Sequence, residues 1–243
     1  MGGTTGFLNN TIAGICTAAQ SLYQRERYST SPAGFYYQFD CPVGVYETTL
    51  LEAETYWDGP GQRVFDAFIQ GTQVLANFDI YVAAGGVNQP LSRLFTNTVA
   101  GSRLQVLFTP VVDNARVSGV QVRKIADLYS DADGIPDWWR LAYFDHPAGQ
   151  AADLSRGGDD ADADGASNYA EYLAGTSPLD ASSLFRITGI SGDASQVQLC
   201  WPARAGKTYQ LQQTDTLAAA ALWTNCGPAQ PGVDGVLTQS VGA

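Results

Sequence analysis

The stretch that most constrains this chain runs from Asp127 to Thr176. Its second half reads Asp160-Ala-Asp162-Ala-Asp164-Gly165-Ala166-Ser-Asn168-Tyr-Ala-Glu171. Oxygen-bearing side chains fall at loop positions one, three, five and nine. A glycine stands at six, where the chain must turn sharply, and the acid at twelve can bind through both oxygens. Position seven binds through its backbone carbonyl, so Ala166 meets the requirement. Three carboxylates this close repel one another unless a cation neutralises them. A solvated acidic loop would not explain agreement at every position. Asp160, Asp162, Asp164, Ala166, Asn168 and Glu171 are therefore the expected ligands of a calcium ion.

The first half holds a damaged copy, Tyr129-Ser-Asp131-Ala-Asp133-Gly134-Ile-Pro136-Asp137-Trp-Trp-Arg140. Tyr129 stands at position one, and Arg140 at twelve puts a cation where the bidentate acid belongs. Asp131, Asp133 and Asp137 remain as candidate calcium ligands, with Asp127 close by. Either this site is weak, or another acid such as Asp153 or Asp159 completes it. Each loop runs into a short helix. Trp138, Trp139, Leu141, Tyr143 and Phe144 follow the first, and Tyr169, Tyr172 and Leu173 the second, so the two apolar faces should pack on each other. Gly175 and Pro178 end the second helix. The paired loops resemble the EF-hand-like calcium repeats of the thrombospondin type 3 or dockerin kind found in secreted bacterial proteins. In such proteins the pair links domains and is rigid only when loaded.

At 243 residues the chain has room for more than one compact unit. Its net charge is −11, from 24 acids against 13 bases, and part of that excess lies in the loops above. No basic patch or stripe is visible, so nucleic acid is not an expected partner. No apolar run is long enough to span a bilayer, so membrane insertion is not expected either. The opening Met-Gly-Gly-Thr-Thr has no basic region followed by an apolar one, so any signal peptide has been removed or left off. Cys16 and Cys41 lie in the first half, Cys200 and Cys226 in the last fifth, and none has metal-ligand spacing. Two local disulfides, Cys16–Cys41 and Cys200–Cys226, are the expected pairing, with four buried free thiols as the alternative. Together with calcium they point to an extracellular or cell-surface location.

Before and after the calcium stretch the pattern is β. Phe35–Phe39, Tyr46–Glu52, Leu104–Phe108 and Val117–Ile125 alternate apolar and polar residues, separated by Gly- and Pro-containing turns. Thr11–Tyr23 reads as a loop with a short helix. Phe185–Ile187, Val197–Trp201 and Tyr209–Leu211 alternate again. The expected fold is mainly β, with a sandwich over residues 1–126, a calcium-loop spacer over 127–180 and a small β-domain over 181–243.

The motif Glu52-Ala-Glu54-Thr-Tyr56-Trp57, followed by Gln62-Arg63-Val64-Phe65-Asp66 and Phe78-Asp79-Ile80, resembles the malectin family. So do Tyr23-Gln24-Arg25-Glu26-Arg27-Tyr28 and Asp113-Asn114, in the right order over most of residues 16–125. The resemblance implies a malectin-like antiparallel β-sandwich that binds oligosaccharide through loops at one end. It makes Tyr28, Tyr56, Trp57 and Asp113 the ligand-contacting positions. Aromatic faces can stack on sugar rings, and a carboxylate can accept hydroxyl hydrogen bonds. Two adjacent aromatics cannot both point inward from a strand, so at least one should be exposed. Asp66 and Asp79 are expected to bond loop backbone. The family begins with a strand and loop that add another aromatic. This chain starts as though cut just after them, so the site should lack one wall. Trp201-Pro-Ala-Arg-Ala-Gly206-Lys-Thr-Tyr209 resembles a small β-domain that follows such repeats in secreted bacterial proteins and carries no dependable activity.

No catalytic constellation emerges. A serine or cysteine nucleophile would need a histidine, and His146 is alone beside Pro147, where a solvated loop residue is expected. Glu52 and Glu54 share a strand face roughly 7 Å apart, but the sequence gives them no cleft, and the family binds without cutting. A non-catalytic carbohydrate-binding protein is the first expectation. A structural or adhesive subunit that self-assembles through open sheet edges is the second. Asn9 in Asn9-Asn-Thr11 is a formal glycosylation acceptor.

Overall fold

The computed structural model describes residues 2–8, 10–218 and 221–242, and Asn9 lies outside them. The chain divides into two compact units, Met1–Leu128 and Tyr129–Ala243. The calcium-loop stretch and the C-terminal strands thus share the second unit.

The first unit contains β1 (Thr4–Phe7), β2 (Arg25–Ser29), β3 (Phe35–Asp40), β4 (Gly44–Glu52), β5 (Val64–Ile69) and β6 (Thr72–Phe78). It continues through β7 (Leu91–Val99), β8 (Arg103–Val112), β9 (Ala115–Val117) and β10 (Gly119–Ala126). The short helices α1 (Gln20–Gln24) and α2 (Ile80–Ala84) interrupt it, α1 within the expected loop-and-helix stretch. One sheet has the order β3-β8-β5-β6 and faces a second, β10-β4-β7, while β1-β2-β9 forms a third. All pairings are antiparallel.

Alternation places the core. On β4, Tyr46, Leu50 and Glu52 are buried while their neighbours are half-exposed, because successive side chains leave opposite faces of a strand. Tyr46, Leu50 and Val99 from one sheet meet Phe35, Phe65, Ala67, Ile69, Leu104, Val106 and Phe108 from the other. Phe35 stacks on Phe108 with ring centroids 5.1 Å apart, and Phe65 meets Phe78 edge-on at 5.5 Å. Each such ring contributes about 1.5–3 kcal/mol by leaving water. Asp66 and Asp79 bond backbone as expected: Asp66 accepts from Asn77 N, and Asp79 accepts from Gly61 N and caps α2 through Val82 N.

One expectation needs correction here. Val117–Ile125 is not one strand: the chain breaks at Ser118, so that β9 pairs with β2 while β10 pairs with β4 in another sheet. Near the start of the chain, Thr4–Phe7 pairs with β2.

In the second unit, α3 (Asp137–Phe144) and α4 (Asn168–Ala174) follow the two acidic loops. Their aromatic faces meet as expected, with Trp138 and Trp139 edge-on to Tyr172 at 6.3 and 6.1 Å. Gly175 ends α4 in the left-handed conformation at φ 80°, where glycine carries no Cβ penalty. The strands that follow are β11 (Gly189–Gly192), β12 (Gln196–Ala203), β13 (Thr208–Tyr209), β14 (Gln212–Gln213), β15 (Thr224–Asn225), β16 (Gln230–Pro231) and β17 (Gly235–Gly242). They form the sheet β11-β12-β17 and the two-stranded pairs β13-β16 and β14-β15 over a small core of Trp201, Ala203 and Tyr209. Phe185–Ile187 alternates but is not a strand; Phe185 instead stacks on Tyr209 at 5.6 Å.

Candidate functional site: an aromatic cavity and an acidic loop

Where β4 ends, Glu54 turns inward, and its carboxylate organises the loop that follows. Oε1 accepts hydrogen bonds from the backbone N–H groups of Thr55, Tyr56 and Trp57 at 3.0–3.1 Å. Oε2 accepts from Arg63 Nε at 2.7 Å, and both side chains are nearly fully buried. Burial alone would raise the Glu54 carboxyl, but the Arg63 guanidinium and the loop N–H groups outweigh it and hold it below its ordinary range. One buried ion pair thereby fixes the backbone that presents the two aromatics.

Tyr56 is 68% exposed, and Trp57 is half-buried beside it. Their rings stand perpendicular, 4.8 Å apart. Trp57 Nε1 donates to Asp113 Oδ2 at 2.9 Å, across the turn between β8 and β9. Asp113 holds a left-handed backbone at φ 59°, which aspartate tolerates better than most residues. Asn114 Nδ2 also donates to Oδ2, and Arg63 Nη1 lies 3.4 Å from it. Oδ1 makes no contact among the described residues, and the side chain is 30% exposed. Together with Tyr28 from β2, these residues line a cavity of about 320 Å³ that Leu8, Glu26, Arg63 and Asn114 complete. All four ligand-contacting positions inferred from sequence, Tyr28, Tyr56, Trp57 and Asp113, are thus brought to one cavity. Leu8, just past β1, supplies part of the wall that the chain was expected to lack.

Sequence reasoning gave no role to Arg63 or Glu26 and weighed Glu54 only as half of a carboxylate pair with Glu52. Arg63 and Glu54 stood within the quoted motif, but only folding shows that they form the support beneath the aromatics. Glu26 is tied to the fully buried Arg116 of β9 at 3.1 Å, and Arg116 Nη1 donates to Thr55 Oγ1 at 2.6 Å, bracing the same loop from behind. The cavity therefore has a polar, internally paired floor with apolar faces above it. Such a surface can stack on a sugar ring and accept hydroxyl hydrogen bonds.

Residues 8–125 match the malectin domain. No curated protein matches the chain. Among solved structures, a β-glucuronidase from Bacteroides uniformis is 24% identical with a TM-score of 0.45, over 51% of this chain and 14% of that one. The ectodomain of ANX2 from Arabidopsis thaliana is 18% identical with a TM-score of 0.45, over 52% of this chain and 41% of that one. The chain spans less than half the length of either. The cavity, Glu54, Arg63 and all four aromatic and acidic positions fall within the malectin domain.

Glu52 and Glu54, considered above as a carboxylate pair, have separate fates inside the malectin domain. Glu54 is consumed by Arg63 and the loop backbone. Glu52 is fully buried, with both oxygens unpartnered, and burial pushes its carboxyl up to about 8 despite Arg116 and Arg93 nearby. Neither is offered to a substrate in the cavity.

The acidic loops lie outside the malectin domain. In the second, one oxygen each of Asp160, Asp162 and Asp164 lies within 4.8 Å of the others. Asp160 Oδ1, Asp162 Oδ2, Asp164 Oδ2, Asn168 Oδ1 and Glu171 Oε2 are all buried and unpartnered. Glu171 is 1% exposed, and burial, with the three aspartates adding to it, pushes its carboxyl up to about 7. Three clustered aspartate oxygens, with two more orphaned oxygens in the same loop and its helix, are an unsatisfied arrangement that a hard cation would relieve. The residues fit calcium. When bound, it would supply the positive charge that the loop lacks.

The first loop is arranged differently. Arg140, reaching back from α3, is fully buried and pairs with both Asp131 and Asp133. Asp137 accepts from Ser130 N and Oγ. Asp153 bonds His146 Nε2 at 2.6 Å and Ser155 N, and Asp159 pairs with Arg156. Asp131, Asp133 and Asp137, the candidate ligands of this loop, are thus all engaged by protein groups. His146, expected to be solvated, is instead held by Asp153.

The expected cysteine pairs are not joined in the structure. Cys16, Cys41, Cys200 and Cys226 are all free thiols. Cys41 precedes β4, where its N–H bonds Ser102 O. The Cys16 segment packs at the far end of that strand, around Ile12, Tyr23 and Ala53. Nine residues of β4 put roughly 25–30 Å between the two ends, far beyond the Cα separation a disulfide spans. In β12, Cys200 faces Thr238, its sulfur 3.4 Å from the hydroxyl, whereas Gln239, on the opposite face of the same sheet, reaches Cys226 O. Cys226 Sγ donates to Gln213 Oε1 instead.

Proposed function

We propose that this chain is a non-catalytic carbohydrate-binding protein that takes an oligosaccharide or polysaccharide in the cavity of Tyr28, Tyr56, Trp57 and Asp113. The observation that carries it is the perpendicular Tyr56–Trp57 pair beside an Asp113 oxygen without a partner. An exposed aromatic face next to a carboxylate acceptor suits a pyranose, which offers an apolar face and a rim of hydroxyls. The pairing of Glu54 with Arg63 supports a binding rather than a hydrolytic role, because no second free carboxylate faces Asp113 within the cavity lining except the Arg116-bound Glu26. The calcium-rigidified second loop is part of the same reading, with Asp160, Asp162, Asp164, Ala166, Asn168 and Glu171 as ligands. The paired loops resemble those of secreted bacterial proteins, which makes an extracellular or cell-surface location the natural setting. With free thiols, that location rests on calcium and the malectin domain rather than on disulfides.

A glycan array with the intact chain tests the proposal. Binding that weakens on Tyr56→Ala, by about 2 kcal/mol for a lost aromatic anchor, and again on Asp113→Ala, is the expected result. Binding that survives both substitutions would move the ligand elsewhere. A second reading, a subunit that assembles through open sheet edges, draws on β7, a nine-residue strand paired only with β4 and carrying the exposed Leu94. Sedimentation at rising concentration distinguishes it: growth of large species without glycan favours assembly.

A further inference from the structure

We propose that Arg140 is the built-in counter-ion of the first acidic loop and pre-shapes the second, so that the paired loops take one calcium ion and not two. The proposal rests on the calcium reading of the second loop.

The two loops carry opposite solutions to one electrostatic problem. Each places aspartates at positions three and five, and in each the residue at position twelve approaches them from the following helix. In the second loop that residue is Glu171, whose charge adds to theirs. In the first it is Arg140, whose charge cancels theirs. Nη1 lies 3.2 Å from Asp131 Oδ2, and Nη2 reaches Asp133 Oδ2. Two further contacts hold it, Nε on Ser155 O and Nη1 on Pro147 O, both at 3.1 Å. A guanidinium with four contacts and without exposure is costly to displace, since removing its partners would strand a buried charge. A calcium ion would have to pay that cost to enter.

The same contacts reach across to the second loop. Asp133 Oδ2 also accepts from Gly157 N at 2.6 Å, and a Cβ on Gly157 would lie 3.0 Å from that oxygen, so glycine permits the approach. Gly157 O then accepts from Tyr169 N, and Asp159 O from Asn168 N. Asn168 Nδ2 donates to Leu154 O and Arg156 O at 2.7 and 2.8 Å. The residues from Leu154 to Asp159, gripped by Arg140 and Asp133 on one side, therefore hold the start of α4 on the other. That start includes Asn168, a ligand of the second loop. Holding a ligand in place before the ion arrives lowers the ordering cost of binding.

The test is calorimetric titration of the intact chain with calcium chloride, alongside thermal melts in chelator. The wild type is expected to bind one equivalent, abolished by Asp164→Ala; two equivalents would overturn the proposal. Arg140→Met is expected to melt lower in chelator and to bind calcium at least tenfold more weakly. An unchanged calcium affinity overturns the pre-shaping, whatever the melting temperature does. If Arg140→Met does not fold, Asp133→Asn takes its place, keeping the shape while discharging the partner. Several-fold weaker calcium binding is then expected, and wild-type affinity overturns. If the wild type binds no calcium at all, the second-loop reading fails. The counter-ion role is then judged by the Arg140→Met melt in chelator alone: a lower midpoint supports it and an unchanged one overturns it.

Discussion

Glu52 is the residue whose chemistry most departs from its surface counterpart. Its oxygens have no partner, and the guanidinium groups of Arg116 and Arg93 offset burial only in part. A folded-state value of about 8 lies well above the ordinary glutamate range near 4.3. Between those values the folded protein keeps a proton that the unfolded chain has lost. Stability from this group is therefore full in mild acid, falls as pH rises toward about 8, and levels off above it. Glu52→Gln, which imitates the protonated acid, should remove the decline. The variant's advantage over wild type should grow between pH 5 and pH 9 to on the order of 3 kcal/mol, read by chemical denaturation at both values. A constant difference across that range would show that Glu52 stays ionised. At the same scale, the proposed function gives Tyr56 the stacking and Asp113 the hydrogen bonding. Both alanine variants should weaken ligand binding, and Tyr56→Ala should leave the melting temperature nearly unchanged, because its side chain is 68% exposed.

Among the elements, the turn into β3 is the least tolerant. Gly34 has φ 68°, and a Cβ there would lie 1.8 Å from Phe108 O on β8, the strand that β3 pairs with. No side chain can bend away from a backbone carbonyl at that distance. Gly34→Ala should cost more than about 2 kcal/mol, through strain and displaced pairing. The measurement is the denaturation midpoint, and an unchanged midpoint would mean that the turn relaxes freely. The loop after β4 shows the complementary device. There a carboxylate, Glu54, substitutes for a strand partner by satisfying three successive backbone N–H groups that have left the sheet. The turn at Asp113 and the loop at Tyr56 belong to different strands and are joined by Trp57 and Arg63, so losing either joint should loosen both.

At the scale of the whole molecule, the thiols give a check on each unit. Each unit holds two cysteines with separate surroundings: a strand's length lies between the pair in the first, and in the second Cys200 meets Thr238 while Cys226 bonds Gln213. Intact-mass measurement after alkylation without reductant should find four modified thiols, with Cys16 reacting first because it alone is exposed. A mass lower by a reagent pair in either unit would show that a disulfide forms and that its strands rearrange to allow it.

How much was legible in the residues differs between these cases for a physical reason. Local spacing alone determined the acidic loops, the short helices after them and the alternating strands. A turn's ligand positions, a helix's apolar face and a strand's two faces are all set within a dozen residues. The four cavity positions could be named from motif order, and Asp66 and Asp79 from their place beside turns. What depended on distant partners could not be read in this way. Arg140 looked like a defect until its side chain was seen to reach Asp131 and Asp133 and to close the site it had seemed only to weaken. Glu54 looked like half of a carboxylate pair until Arg63, nine residues on, and three loop N–H groups claimed it. The single strand expected over Val117–Ile125 was split at Ser118 because its halves pair with strands of different sheets. Cys16 and Cys41 were separated because a strand carries the chain away at about 3.3 Å per residue. Tertiary structure decided which charges are neutralised and by whom, since that depends on what folding brings within a few ångströms.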